Sequence, residues 1–337
     1  MHVVAYTACH PADHAEAFID LELPAPPAPE GHDLLVEVRA VSVNPVDTKQ
    51  RQSNDPKGRP RILGFDAAGV VREAGPGCTL FKPGDQVFYA GLITRPGSNA
   101  GMQLVDERIV GRKPATLSFA QAAALPLTSI TAGEALFDRL RIARNQDPRP
   151  GEAVLLIGGA GGVGSMAIQL ARQLTGLTVL ATASRPETRD WCLKLGAHHV
   201  LDHAGDLPAQ VKALGLSVPY IFSITQTARH WDASCAILAP FGLICAIDQT
   251  PVLDTNKLKA KAGGLVWEAM FARPLFRTPD MVAQHHLLNA VADLVDAGAV
   301  RTTLTENFGP LTAANLARAH ARVETGQVIG KVVLGVS

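Results

Sequence analysis

Little in this sequence supports a disulfide framework, a thiolate metal cluster or a polyanionic partner. The 337 residues include five cysteines, Cys9, Cys78, Cys192, Cys235 and Cys245, an odd set with no C-x-x-C spacing. That usage points to a reducing, cytoplasmic compartment. Charge of one sign is not in excess either: 31 Lys and Arg balance 31 Asp and Glu. Nucleic acid and membrane surfaces, which call for a long-range positive field, are therefore not expected as partners. Two uncharged stretches, 114–133 and 153–171, have the length of a membrane span, but Pro126 interrupts the first and five glycines crowd the second. The opening MHVVAYTACHP has no basic segment ahead of an apolar run, so no secretory signal is expected.

What is present is organised in two styles. A chain this long exceeds what one core usually organises, which predicts two domains. Residues 34–43, 67–73 and 85–90 alternate apolar and polar positions between Pro- and Gly-rich turns, the pattern of an irregular antiparallel β domain. From about Ser118 the chain becomes Ala- and Leu-rich with helical spacing through 120–140. After that, strands are predicted at 153–157, 177–183, 199–201, 220–224 and 243–247, with helices at 164–174 and 188–195 between the first three. This is the α/β alternation of a doubly wound parallel sheet. Helices over 281–297 and 313–324 and a strand over 331–335 are expected to return to the first domain. The predicted domains are 1–125 with 270–337, and 126–269.

The strand at 153–157 runs straight into Gly159-Ala160-Gly161-Gly162-Val163-Gly164, a G-x-G-x-x-G that opens a helix. Glycines there allow a tight turn, and the helix start offers unpaired N–H groups to a pyrophosphate, with Gly161, Gly162 and Val163 best placed. About twenty residues on, the acidic residue that would bind a ribose 2′-hydroxyl is missing. Ser184 and Arg185 stand there instead, a hydroxyl and a guanidinium suited to a 2′-phosphate, which selects NADPH over NADH. Ser223, Thr225, Ala246 and Ile247 end later strands at the carboxyl edge of the sheet, where ligands of such folds collect.

Together with Val43-Asn44-Pro45-Val46-Asp47, Gly64-Phe65-Asp66-Ala67-Ala68-Gly69, Pro83-Gly84-Asp85-Gln86-Val87, Ala122 to Pro126, Thr131-Ala132 and Gly330-Lys331-Val332, these motifs give the chain a resemblance to a family. The sequence resembles the medium-chain dehydrogenase/reductase superfamily over nearly its whole length, in its zinc-free quinone oxidoreductase branch. Through residues 184–188, 105–108 and 287–288 it is most similar to the zinc-type alcohol dehydrogenase-like subgroup. The resemblance implies a GroES-like β domain beside a Rossmann domain, with the active site in the cleft. It also implies that the zinc ligands of the metal-dependent relatives fall at Asn44, Phe65 and approximately Leu127, none of which serves as a usual ligand, so no metal is expected.

An NADPH-dependent, zinc-independent reductase needs an acceptor that is already activated, such as a quinone or an α,β-unsaturated carbonyl. The resemblance puts Asn44 and Thr131 beside the nicotinamide, Asp47 on the same loop as a water-ordering or proton-delivering group, His203 near the adenosine end, and Lys331 near the cleft. For Asn44 and Asp47 an Asx turn is the alternative role, and for Thr131 a helix cap. Tyr89 and Arg95 are read as shaping the substrate mouth, and the pairs His198-His199 and His285-His286 as surface or cap histidines. Residues 258–267 correspond to an edge strand at a dimer interface, weakened by Gly263-Gly264, and a homodimer is expected. Alternatives are an enoyl-thioester reductase, disfavoured because Arg51-Gln52-Ser53-Asn54 lacks the expected Tyr, and an NADPH-binding structural or sensing protein without significant turnover.

Overall fold

A computed structural model describes residues 1–336, which form two compact units. Unit 1 is Met1–Ile130 with Phe271–Ser337, and unit 2 is Thr131–Met270.

Unit 1 is built on the strand Asp33–Val43, whose Leu34, Val36 and Val38 turn inward while Glu37 and Arg39 do not, as a period of two requires. Asp66–Ala74 pairs antiparallel with it, placing Ala67 opposite Val41 and Asp66 opposite Ser42. On its other side lies Lys331–Gly335, also antiparallel, with Val332 opposite Val43. The sheet order is Leu304–Pro310, Lys331–Gly335, Asp33–Val43, Asp66–Ala74, Gln86–Ala90, Val110–Arg112, and Met102–Asp106 also pairs with Asp33–Val43. The C-terminal strand thus brings Lys331 beside the end of the strand that precedes Asn44. Asn44 itself starts the helix Pro45–Ser53 in extended conformation, with Pro45 at the first turn and Asp47 in it.

Unit 2 holds six parallel strands in the order His199–Leu201, Thr178–Thr182, Glu152–Ile157, Ser217–Ser223, Leu238–Ala246, Gly264–Trp267. This is the doubly wound order, with its switch point at the carboxyl end of Glu152–Ile157. That strand reads EAVLLI and is buried on both faces from Ala153 onward, as a central parallel strand must be.

Several expectations are revised. The helical stretch 120–140 is three pieces: Phe119–Ala123, Pro126–Gly133 and a π-helical turn Glu134–Arg139, in which Leu140 N–H reaches Ala135 O. Thr131 lies inside Pro126–Gly133 and not at its start. Only Gly264–Trp267 of the 258–267 segment is a strand; the residues before it form a 3₁₀ turn, Thr255–Lys261.

Candidate functional site

Unit 1 gathers a buried polar cluster from three distant parts of the chain. Asn44, Asp47, Asp66 and Lys331 are each less than 5 % exposed. Asn44 Nδ2 donates to Asp66 Oδ2 at 2.8 Å, and Lys331 Nζ donates to Asn44 Oδ1 at 2.5 Å and to Val43 O at 2.8 Å. These two partners fix which end of the amide is which. Lys331 Nζ also pairs with Asp66 Oδ2 at 3.1 Å, and Asp66 Oδ1 accepts from Leu127 N–H at 2.7 Å. The carboxylate of Asp66 is therefore the hub: it takes an amide, an ammonium and a backbone N–H, and so meets the requirement that a buried charge be paired and bonded.

Asn44 N–H donates to Asp47 Oδ2 at 2.8 Å, closing the helix start. Burial raises the Asp47 carboxyl to about 7, against the lowering pull of the Asn44 N–H and the Lys331 ammonium. Burial also lowers Lys331, and the Asp66 carboxylate opposes that shift. Phe65, the neighbour of the hub, is buried with its ring tilted 59° against Phe271 at 5.0 Å between centroids.

The dinucleotide motif of unit 2 is built to hold an anion. Gly161 caps the helix Gly162–Leu174 in extended conformation, and Ser165 N–H is the first to bond back, to Gly161 O. By helix geometry the N–H groups of Gly162, Val163 and Gly164 have no acceptor within the helix. A Cβ at Gly161 would meet nothing within 4 Å, which leaves the approach open. Gly164 and Gly159 are packed: a Cβ at Gly164 would lie 2.2 Å from Gly158 O, and one at Gly159 would lie 2.8 Å from Ala181 Cβ. Gly158, at φ +94°, turns the chain, and its N–H is held by Thr182 Oγ1 at 3.0 Å. This cradle fits a dinucleotide pyrophosphate.

The other expected cofactor residues of unit 2 share the carboxyl edge of its sheet. Ser184 is exposed just after Thr178–Thr182, and Arg185, half-buried, caps the helix Pro186–Lys194 with its Nε 3.3 Å from Glu187 Oε1. Ser223 Oγ bonds Thr227 Oγ1 at 2.8 Å, Thr225 packs against Gly158, and Ala246 ends its strand with Ile247 following. His203 follows the outermost strand and stands edge-on to His230, 5.9 Å between ring centroids; burial lowers both imidazoles. Asn44, Asp47 and Lys331 belong instead to unit 1, where Lys331 contacts the Asn44 cluster.

Two expectations are corrected. Tyr89 is fully buried and donates to Gln103 Oε1 at 2.9 Å, so it is no wall of a substrate mouth; Arg95 clamps both oxygens of Asp33. His285 is buried, not a surface group, with its Nδ1 2.7 Å from Val110 O. Local sequence does not single out Asp66, the loop-holding role of Thr182, or a carboxyl pair in unit 2. In that pair Glu268 hydrogen-bonds Glu134, and burial beside this second acid raises it; Arg139 Nε lies 3.1 Å from its Oε2. Asp66 stands inside a motif already recognised, and a carboxylate there was the available signal.

Comparison with known proteins gives the family. Residues 30–128 match the alcohol dehydrogenase GroES-like domain and residues 195–334 match the zinc-binding dehydrogenase domain. A zinc-type alcohol dehydrogenase-like protein of Staphylococcus aureus is 47 % identical over 315 residues, covering 92 % of each chain. The chain belongs to the medium-chain dehydrogenase/reductase superfamily. A Rhizobium etli CFN 42 protein, provisionally named a zinc-dependent alcohol dehydrogenase, has 55 % identity and a TM-score of 0.94 over 99 % of this chain and 98 % of its own. A mycobacterial protein complexed with NADPH has 26 % identity and a TM-score of 0.83 over 99 % and 100 %. The chain is thus an oxidoreductase of this superfamily, and among its described residues no helix is long and apolar enough to cross a membrane.

Proposed function

We propose that this protein is an NADPH-dependent, zinc-independent reductase of quinones or α,β-unsaturated carbonyls. The observation that carries the reading is the Asn44–Asp66–Lys331 cluster. Where family resemblance expects metal ligands, the chain has an amide, the phenyl ring of Phe65 and the aliphatic Leu127, and an ammonium is bonded to that amide. Such a donor set does not fit a zinc ion: it offers no thiolate or imidazole, and the Lys331 charge opposes a dication. The word zinc in the names of the relatives is not carried over.

A bound reduced nicotinamide supplies a hydride. What the chain supplies is binding, polarisation and a proton. Gly161, Gly162 and Val163 take the pyrophosphate on the helix start, and Ser184 and Arg185 take the 2′-phosphate, for which Arg185 leaves Glu187. Thr182 holds the loop, and Ser223, Thr225, Ala246, Ile247 and His203 line the groove at the sheet edge. Thr131 is assigned to the nicotinamide carboxamide. Asn44 keeps one Nδ2 hydrogen for a substrate oxygen, since the other goes to Asp66. The Lys331 bond to its Oδ1 draws electron density from the amide and strengthens that remaining donor as charge develops on the acceptor oxygen. Asp47, raised to about 7, retains a proton near neutrality and is assigned as the proton reservoir.

A cytoplasmic location and a homodimer built on the edge strand Gly264–Trp267 complete the proposal. All five cysteines are free, and Trp267 is half exposed on that edge. The test is a panel of quinones and enones with NADPH and NADH side by side, in the presence of a chelator. NADPH oxidation dependent on the acceptor is expected. Tight NADPH binding without turnover across the panel would instead favour a binding or sensing role.

A further inference from the structure

Outside the dinucleotide and Asn44 sites, one group of donors converges on the surface of unit 1. The loop of residues 7–18 joins the strands His2–Tyr6 and Ile19–Glu22. We infer that His10, His14 and Glu16 on this loop bind one divalent transition-metal ion, with zinc, nickel and copper as the fitting class.

One ligand atom from each of the three side chains lies within 4.8 Å of the others. In a tetrahedral site with metal–ligand bonds of about 2.0–2.1 Å, ligand atoms stand about 3.3 Å apart. Closing on an ion therefore asks the donors to move in by at most about 1.5 Å. The two imidazoles are stacked, 4.0 Å between centroids and 5° from parallel, so their lone pairs converge only after the rings rotate about Cβ–Cγ. His14 and Glu16 are exposed and His10 is half-buried, so those rotations displace little packing. His14 Nδ1 accepts from Glu16 N–H at 3.1 Å, a surface N–H that water satisfies if the ring turns to a metal.

The backbone that carries the donors is already held. His10 O accepts from the buried guanidinium of Arg51, and Ala12, Ala17 and Phe18 are buried. Turns bond His14 N–H to Pro11 O at 3.1 Å and Ala17 N–H to His14 O at 3.0 Å. Binding then orders side chains only, which lowers its entropic cost. Two imidazoles and one carboxylate suit zinc, nickel or copper over magnesium or calcium, and water completes the coordination. None of the three donors belongs to the cluster around Asn44.

The experiment is a zinc titration of chelator-treated full-length protein against a chromophoric indicator, repeated on His14→Ala and Glu16→Gln, with circular dichroism to check folding. One zinc per chain is expected, weakened by about tenfold or more in His14→Ala, at least the loss seen when a mere supporting partner of a ligand is removed. Copper(II) electron paramagnetic resonance provides a second readout: nitrogen splitting from two imidazoles in the wild type and from one in His14→Ala. No stoichiometric binding by the wild type, or equal affinity and equal nitrogen splitting in wild type and His14→Ala, overturns the inference.

Discussion

Replacing Asp47 by Asn deletes one buried negative charge and keeps an oxygen for the Asn44 N–H. In the wild type, burial raises this carboxyl from 3.8 to about 7, so the folded protein holds a proton that the unfolded chain has released. Between those values the folded state binds more protons. The contribution of Asp47 to stability therefore falls as pH rises from about 4 to about 7, then levels off. A difference of about three pKa units corresponds to roughly 4 kcal/mol. That shift already includes the attraction to Lys331, so a gain of up to roughly 4 kcal/mol is expected above neutrality, vanishing near pH 4. His320 acts in the opposite sense. Burial and the Arg51 charge push this imidazole down to about 3, so the stability it confers is full above about 6.5 and is lost as pH falls. The two slopes overlap and offset in the wild type, which makes the difference between variant and wild type at each pH the quantity to measure. Urea unfolding followed by circular dichroism at about pH 4.5, 6 and 8 supplies it. A gain for Asp47→Asn that grows with pH is expected. A difference independent of pH, or a variant that loses ground as pH rises, would show that burial does not hold Asp47 protonated in the folded protein.

The cofactor assignment predicts that Arg185→Ala raises the KM for NADPH by about 10- to 100-fold and leaves that for NADH nearly unchanged; parallel changes in both would remove the 2′-phosphate role. Gly164→Ala forces a Cβ to 2.2 Å from Gly158 O and is expected to cost ~1–3 kcal/mol in thermal unfolding. Gly161→Ala, with open space around its Cβ and a φ of −72°, is expected to change stability by only about 0.5 kcal/mol while weakening NADPH binding in calorimetry. Asp66→Asn leaves the buried Lys331 ammonium without its countercharge and is expected to lose ~3–5 kcal/mol, much of it regained in Asp66→Asn combined with Lys331→Met, by chemical denaturation.

Local pattern carried a large part of this fold. The run EAVLLI followed by glycines predicts a buried parallel strand entering a phosphate-binding turn, and the turn has the tight packing and open helix start that glycine permits. The alternation in 34–43 and the strand 331–335 were equally legible, because period and punctuation are properties of short segments. The role of Asp66 was not. Its partners stand 22 residues away at Asn44, 61 away at Leu127, and across nearly the whole chain at Lys331, so no local window contains the charge balance. The π-helical turn is also beyond local reading: residues 134–139 keep an apolar helical spacing, and the acid that Glu134 is buried beside, Glu268, lies far away in sequence. Tyr89 and His285 look like surface groups because their tips are polar, yet Gln103 and Val110 O satisfy those tips inside the core.

The proposed turnover needs the amide and ammonium of Asn44 and Lys331 and no metal. Its most direct test is the rate of NADPH oxidation by a quinone, measured on protein stripped of metal by a chelator, verified by elemental analysis, and again after zinc is restored. The same rate is expected in both, even if zinc returns to the loop carrying His10 and His14. Activity lost on stripping and recovered with zinc would contradict it.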